Sequence, residues 1–339
     1  MLFSCAIVRH DGGTMDILSE VLRTIRVNGT VNLVADLSSP WGIAVPRADS
    51  GATFYLVSGG SMFIEVGEGD DQLQLTAGDF VMLPGGDAHR LRSDPHCQVR
   101  PIAEITGSEW TGTSFAEDHD PAPLLRYGGG GPPTELFGGS FRFDTDAALS
   151  ILRTMGPLLH VKSDSEGSPD FGSLLGLSCR EARHPLPGSR YVMSELIKLL
   201  FIQMLRSALS QRRGQTACAS SPFALMFQPG MEPVAEAIHL HPERDWTVAE
   251  LAERAHMSRT SFSTRFAEIT GLSPLAYLTR WRMIKASELL RNRNLGIATV
   301  ATAVGYGSES AFSIAFKRQM GVAPGRYRSD ASALVGART

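Results

Sequence analysis

Two clusters of side chains in the last third of the chain have the chemistry to read a polar, anionic surface. The first is Arg259, Thr260, Ser263, Thr264 and Arg265. The second is Glu309, Ser310, Ser313, Ile314, Lys317 and Arg318. Short hydroxyls reach base edges or phosphates, cationic groups neutralise phosphate, and Ile314 offers only an apolar surface suited to a thymine methyl. Groups for covalent or metal chemistry are sparse by comparison. His89 stands in GDFVMLPGGDAH, and the neighbouring stretch Thr53–Gly67 adds only Glu65 and no histidine. A catalytic metal usually needs three protein ligands plus an open position, so neither a metal, a cofactor nor an enzymatic activity is expected.

Both clusters are expected on short helices, each the second of a helix-turn-helix pair. The units run from Thr247 to Gly271 and from Ile297 to Gly321, and they resemble each other. Leu251 and Ala252 match Val300 and Ala301, and Met257 matches Tyr306. After one inserted residue, Gly307, Ser258, Phe262 and Phe266 match Ser308, Phe312 and Phe316. Ser258 and Ser308 are the predicted N-caps, and the phenylalanines form the inward faces. Between the units, PLAYLTRWRMIKASELL (Pro274–Leu290) has the period of one amphipathic helix, with Ser273 before it as N-cap and Pro274 in the first turn. Two reading helices held about 34 Å apart can enter successive major grooves on one face of DNA.

Charge agrees with that reading. From Arg254 to Arg328 there are twelve basic residues against three acids, a local +9, whereas the whole chain sums to −3. Such an asymmetry is expected when one domain meets phosphate. Arg282, Lys285, Arg318 and Arg328 are assigned to phosphate or to ion pairs between subdomains.

These residues carry a family resemblance. Met231–Arg328 resembles the DNA-binding domain of the AraC/XylS transcriptional regulators, through the linker helix, GYGSESAFSIAFKR and the closing Gly321, Pro324, Tyr327 and Arg328. The resemblance implies binding to promoter DNA, contact with RNA polymerase as an activator, and often dimers. Two departures from the family stand out. Arginine is common where Thr264 and Ile314 stand, so the site is expected to lean towards A·T there. Glycine is common where His256 stands, so a left-handed backbone at His256 would be strained.

The N-terminal half has a different rhythm. WGIAV, TFYLV, SMFIEV, DQLQL, DFVML and VRPIAEI read as strands of an antiparallel sandwich or small barrel. GDFVMLPGGDAH resembles the second conserved motif of cupins: a tight entry at Gly78, a strand, a turn at Pro84–Gly86, and His89 opening the next strand and pointing inward. With Pro40-Trp41-Gly42 before it and Arg142-Phe143-Asp144 and Leu158–Val161 after, it resembles the cupin sensor domains of that same family. Trp41, Tyr55 and His89 are the candidate ligand-binding residues for an unknown small-molecule effector, and His160 is expected in the core. An oxidant-responsive switch through Cys97 is the alternative, and a metal-dependent cupin enzyme fused to a DNA-binding domain is a third reading.

The fold class is therefore α+β, with an N-terminal antiparallel cupin-like barrel with helices and a C-terminal all-α tandem helix-turn-helix domain. A chain of 339 residues, 43% hydrophobic and 20% charged, suits two soluble domains. The expected plan is a possible extension over 1–14, a sensing and possible dimerisation domain over 15–210, a linker over 211–229, the DNA-binding domain over 230–330 and a tail over 331–339. A short helix is expected from Met15, 107–133 as a surface excursion, and a strongly apolar helix over Tyr191–Leu209. The four cysteines (Cys5, Cys97, Cys179, Cys218) lack metal or disulfide spacing, and no run has the length of a signal peptide or membrane span, so a cytoplasmic location away from the membrane is expected.

Overall fold

The computed structural model describes residues 27–48, 51–67, 72–107, 122–143, 156–162, 171–211, 228–292 and 294–329, with Ser19, Glu20, Leu22, Leu152, Arg153 and Leu225 besides. The expectations for 1–14, for the tail, for nearly all of the linker, and for Cys5 and Cys218 lie outside the described residues. Two compact units form, one from residues 27–144 and 155–212, the other from 213–339 together with 1–26 and 145–154.

The first unit is built on two sheets. Strands β1 (Val27–Ser38), β3 (Ala52–Gly59), β6 (Phe80–Leu83), β9 (Leu124–Gly128), β10 (Pro133–Phe143) and β11 (Leu159–Val161) form one, in the order β11-β6-β3-β10-β1-β9. Strands β2 (Gly42–Val45), β4 (Ser61–Val66), β5 (Gln72–Thr76), β7 (His89–Arg92) and β8 (Arg100–Pro101) form the other, in the order β5-β4-β7-β2-β8. Pairing is antiparallel except for β1–β9 and β2–β8, which run parallel. Period-two alternation puts Leu33, Tyr55, Val57 and Leu136 of one sheet against Ile43, Ile64 and Leu91 of the other in a shared core. Alternate residues of the six-stranded sheet face helices. Phe54 stacks on Phe80 and Phe141, Phe80 meets Phe171 of α2 (Phe171–Arg183), and Phe141 meets Phe201 of α3 (Ser189–Gln211). A short helix α1 (Ile102–Thr106) follows β8. One expectation is corrected here. The region expected as a surface excursion contains β9, because Leu124–Gly128 hydrogen-bonds along β1, a partner far away in sequence.

The cupin-like motif folds as its residues dictate. Gly78 takes φ 93 and its N–H donates to the Val57 carbonyl, β6 follows, Gly86 turns at φ 59, and His89 opens β7. His160 sits on β11, its Nε2 3.4 Å from the Asp79 carboxylate.

The second unit is helical: α4 (Glu232–Leu240), α5 (Val248–Arg254), α6 (Arg259–Thr270), α7 (Pro274–Leu290), α8 (Ile297–Ala303) and α9 (Glu309–Met320). Helix α5 opens with a capping box in which Thr247 and Glu250 bond each other's backbone N–H. Those bonds, first from the Thr247 backbone and then from its hydroxyl, hold the Glu250 carboxyl below its ordinary range. Helix α7 spans the predicted limits, although Ser273 makes no side-chain cap bond. Tyr277 and Trp281 of α7 pack against His239 of α4, and Met283 and Leu290 of α7 share a core with Phe312 and Phe316 of α9. Among the described residues no helix is long and apolar enough to cross a membrane.

Candidate DNA interface and sensor cavity

The two helix-turn-helix units repeat in geometry as well as in sequence. In the first, the Met257 N–H donates to the Ala252 carbonyl at 3.0 Å; in the second, Tyr306 donates to Ala301 at 2.9 Å. The residues just before them, His256 and Gly305, are both left-handed, at φ 53 and φ 83. His256 is the only non-glycine with positive φ among the described residues. Ser258 Oγ then accepts the Ser261 N–H and starts α6, and Ser308 Oγ accepts the Ala311 N–H and starts α9. Phe262, Phe266, Phe312 and Phe316 are fully buried, so each helix turns the same face outward.

On α6 that face presents Arg259, Thr260 and Thr264, with Ser263 half-buried. Arg265 is half-buried too, and its guanidinium donates to the Pro229 carbonyl at 3.0 Å, which holds it back from the outer face. On α9 the exposed residues are Glu309, Ser310, Ile314, Lys317 and Arg318, with Ser313 half-buried. Ile314 is 72% exposed, so the fold gives this large apolar side chain nothing to pack against.

Two linker-helix cations, assigned to phosphate or to ion pairs between subdomains, are engaged inside the protein. Arg282 is 9% exposed; its Nε donates to the Pro242 carbonyl at 2.6 Å and its Nη2 to the Arg244 carbonyl at 2.9 Å. Its guanidinium also lies 5.8 Å from the Tyr306 ring, in the turn of the second unit. A Cβ on Gly305 would stand 2.7 Å from Arg282 Nη2 and 2.5 Å from the Glu243 carbonyl. Arg282 therefore joins the loop before the first unit to the turn of the second. Lys285 pairs with Glu20 and lies 3.9 Å from Glu288.

In the sheet unit, a cavity of about 20 Å3 opens between the sheets against Asn32, Leu33, Ile43, Tyr55, Leu91 and Leu136. Tyr55 lines it; His89 stands behind, accepting the Tyr55 hydroxyl on Nε2 at 2.7 Å while its Nδ1–H donates to the Asp87 carbonyl at 2.8 Å. Burial lowers the His89 pKa to about 4 and raises that of the Tyr55 phenol, so the pair is neutral. Trp41 is buried in the inter-sheet core but is not among the cavity's lining residues. Glu65 is taken up by ion pairs to Arg90 and to Arg92. Among the described residues no group of three or more His, Cys, Asp or Glu is placed to hold a metal. Cys97 is a free thiol with its Sγ 3.4 Å from Ser93 Oγ, and Cys179 is also free.

Comparison with known proteins follows this division. Residues 16–210 match the cupin family and residues 251–330 a helix-turn-helix domain family. An AraC-like transcription regulator of Streptomyces lividans is 32% identical across 93% of this chain and 98% of its own length. The chain belongs to the AraC family of transcription regulators. It is a DNA-binding regulator with an N-terminal cupin domain. Another relative, the RCS-specific HTH-type transcriptional activator RclR of Escherichia coli K12, is 27% identical over 93% of this chain and 97% of its own length. Among solved structures, the DNA-binding domain of AdpA in complex with a target DNA is 37% identical over 31% of this chain and 95% of that one, with a TM-score of 0.30.

For an AraC-family chain, sequence reasoning missed two things. One is the cavity's polar wall at Asn32, which the strand pattern does not mark out. The other is the partner set of Arg282: it bonds backbone carbonyls of the loop before the first unit rather than an acidic side chain, and no local pattern marks those acceptors.

Proposed function

We infer that this regulator activates transcription at promoters in response to a small molecule held in its cupin unit. The observation that carries the DNA-reading half is the duplicated outward face of α6 and α9, left polar and exposed by buried phenylalanine pairs. In this reading Arg259, Thr260, Ser263, Thr264, Ser310, Ser313 and Ile314 meet bases, and Lys317 and Arg318 meet phosphate. Glu309, in the first turn, accepts from a cytosine amine or sets register. Arg265, bonded to Pro229, acts from the edge of that face. The bridge at Arg282 supports treating the two faces as one reader. Activation by touching RNA polymerase is favoured by the relative named an activator. A homodimer and a cytoplasmic location complete the reading.

The effector half rests on the cavity beside Tyr55, with His89 as the group that orients the phenol. Binding of a ligand shifts the protein only through unequal affinity for two of its states.

The test is selection of bound fragments from sheared genomic DNA by the full-length protein, followed by footprinting at two salt concentrations. Two short protected boxes about one helical turn apart, weakening steeply with salt, are expected. Absence of any enriched fragment, from the full chain and from residues 228–330 alike, would overturn the reading. Transcription from the selected promoter with purified polymerase then reads activation.

A further inference from the structure

The outward face of α9 has one side chain that polar recognition does not explain. Phe312 and Phe316 fill the inward face, where they meet Tyr306 and Tyr327 edge-on at ring distances of 5.8 and 5.5 Å. Ser308 caps the start of the helix, and left-handed Gly321 closes its end by donating its N–H to the Lys317 carbonyl at 2.9 Å. The helix is thus held at both ends and along one side. Helical period sets Ile314 on the opposite side, where it is 72% exposed. Among the described residues of the helical unit, the only other exposed large apolar side chain is Leu275 on α7.

Isoleucine suits contact with a small apolar group. Its branched β-carbon leaves one strongly preferred χ1 on a helix, so little side-chain freedom remains to be lost on contact. With neither donor nor acceptor it is blind to the polar edges of base pairs, and the apolar feature of the major groove is the C5 methyl of thymine. Cytosine methylated at C5 presents the same methyl at the same place. Beside that methyl the two bases differ, with an O4 acceptor in thymine and an N4 amine donor in cytosine. One turn before Ile314 stands Ser310, an exposed hydroxyl 3.3 Å from Ser308 Oγ in a bond that either oxygen can donate. A hydroxyl both donates and accepts, so Ser310 accommodates either base. Glu309 accepts only and suits a cytosine amine, so cytosine is admissible in the sequence that α9 reads. Lys317 and Arg318, one turn beyond, only donate, and in the reading above they go to phosphate.

Resting on the reading of α9 as the second DNA-reading helix, we propose that Ile314 recognises the C5 methyl of a pyrimidine whichever base bears it, so that 5-methylcytosine in the operator strengthens binding where unmethylated cytosine does not. The regulator then answers to cytosine methylation of its promoters as well as to their sequence. Burial of one methyl group is worth about fourfold in affinity. The matched residue of the first unit is Thr264, whose hydroxyl also forms polar bonds, so the dependence on a methyl alone belongs to the second unit.

The test uses the full-length protein and the duplex obtained by genomic selection. Each pyrimidine of the two protected boxes is made in turn cytosine or 5-methylcytosine opposite guanine, and uracil or thymine opposite adenine. Affinity is titrated by fluorescence anisotropy at one fixed salt concentration. At one position both methyls should tighten binding by about fourfold in the natural chain, and neither should in Ile314→Ala. A methyl effect at no position, an effect with only one of the two bases, or gains that all survive Ile314→Ala would each overturn the proposal. Binding that ignores every C5 methyl removes this inference alone and leaves the DNA-reading role in place. Failure to bind any duplex above non-specific affinity removes both.

Discussion

Arg282 Nε donates to the Pro242 carbonyl at 2.6 Å, and the same guanidinium reaches the Arg244 carbonyl and the Tyr306 ring. One side chain on the linker helix thus ties the loop before the first helix-turn-helix unit to the turn of the second. A reader built from two units needs them at fixed spacing, and this bridge adds to the packing of α7 on both.

Arg282→Met is expected to destabilise the helical unit by about 2–4 kcal/mol, since two bonds from a charged donor are lost and the carbonyl of buried Pro242 is left without its donor. Arg282→Lys keeps the charge but not the fork and should recover less than half of that. Gly305→Ala should act in the same direction, because its Cβ would press on the guanidinium and on the Glu243 carbonyl at φ 83. Urea denaturation of the full chain measures the loss. Footprints of these variants should weaken in the two boxes together; loss of one box alone would mean Arg282 serves only its own unit.

Two fully buried histidines, one in each unit, contribute to the pH dependence. Burial holds His89 at about 4 and His239, which meets the Tyr277 hydroxyl at 2.8 Å, at about 3, against an ordinary 6.5. As pH falls below about 6.5 the unfolded chain takes up protons at both sites and the folded protein does not. The contribution of these two sites is therefore full above that value and is lost as pH falls to about 4 for His89 and about 3 for His239, by about 2 kcal/mol per histidine at pH 5. Urea midpoints at pH 7.5 and 5.0 test this. His239→Gln, which does not titrate, should flatten the profile of the helical unit, and an unchanged slope would assign the effect to another group.

Much of the helical unit was legible because its signals are local. Serine caps, paired phenylalanines four residues apart, and the period of Pro274–Leu290 each act within a turn or two of helix. The motif from Gly78 to His89 was legible for the same reason. What failed was long-range. Pairing of Leu124–Gly128 with β1 depends on a strand far away, and the bulge at Asn32 adds one residue that an alternating pattern does not show. For Arg282 and Lys285 the sequence left phosphate and ion pairs between subdomains both open, because the acceptors folded over a charge on a helix are not visible in it; here they are the Pro242 and Arg244 carbonyls and Glu20. Trp41, expected at the ligand, went to the core, where a large ring between two sheets has more surface to bury.

His256 holds the position that Gly305 holds in the second unit, but with a side chain at φ 53. A non-glycine residue in this region costs about 1–2 kcal/mol, offset in part by the extra freedom glycine has when unfolded. His256→Gly is expected to stabilise the helical unit by about 0.5–1 kcal/mol with DNA affinity unchanged, since the residue is exposed and lies before the recognition helix. Thermal and urea unfolding measure the gain. A loss of stability would mean that the imidazole makes contacts worth more than the strain, and a loss of affinity would place His256 at DNA.

Ile314 gives the sharpest separation of binding from folding. At 72% exposed it buries little in the free protein, so Ile314→Ala should leave the urea midpoint within about 0.5 kcal/mol of the natural chain. Its matched position in the first unit is Thr264, also exposed, so the two units read with one apolar and one hydroxyl side chain at the same place. If Ile314 packs on a thymine methyl, Ile314→Ala lowers affinity for the selected site several-fold, and replacing that thymine by uracil, which lacks the methyl, lowers it equally in the natural chain but not in the variant. Titration of the two duplexes against the two proteins makes a complete cycle. Additive losses would show that Ile314 and the methyl do not touch, and an unchanged affinity in Ile314→Ala would remove the second helix from base reading at that position.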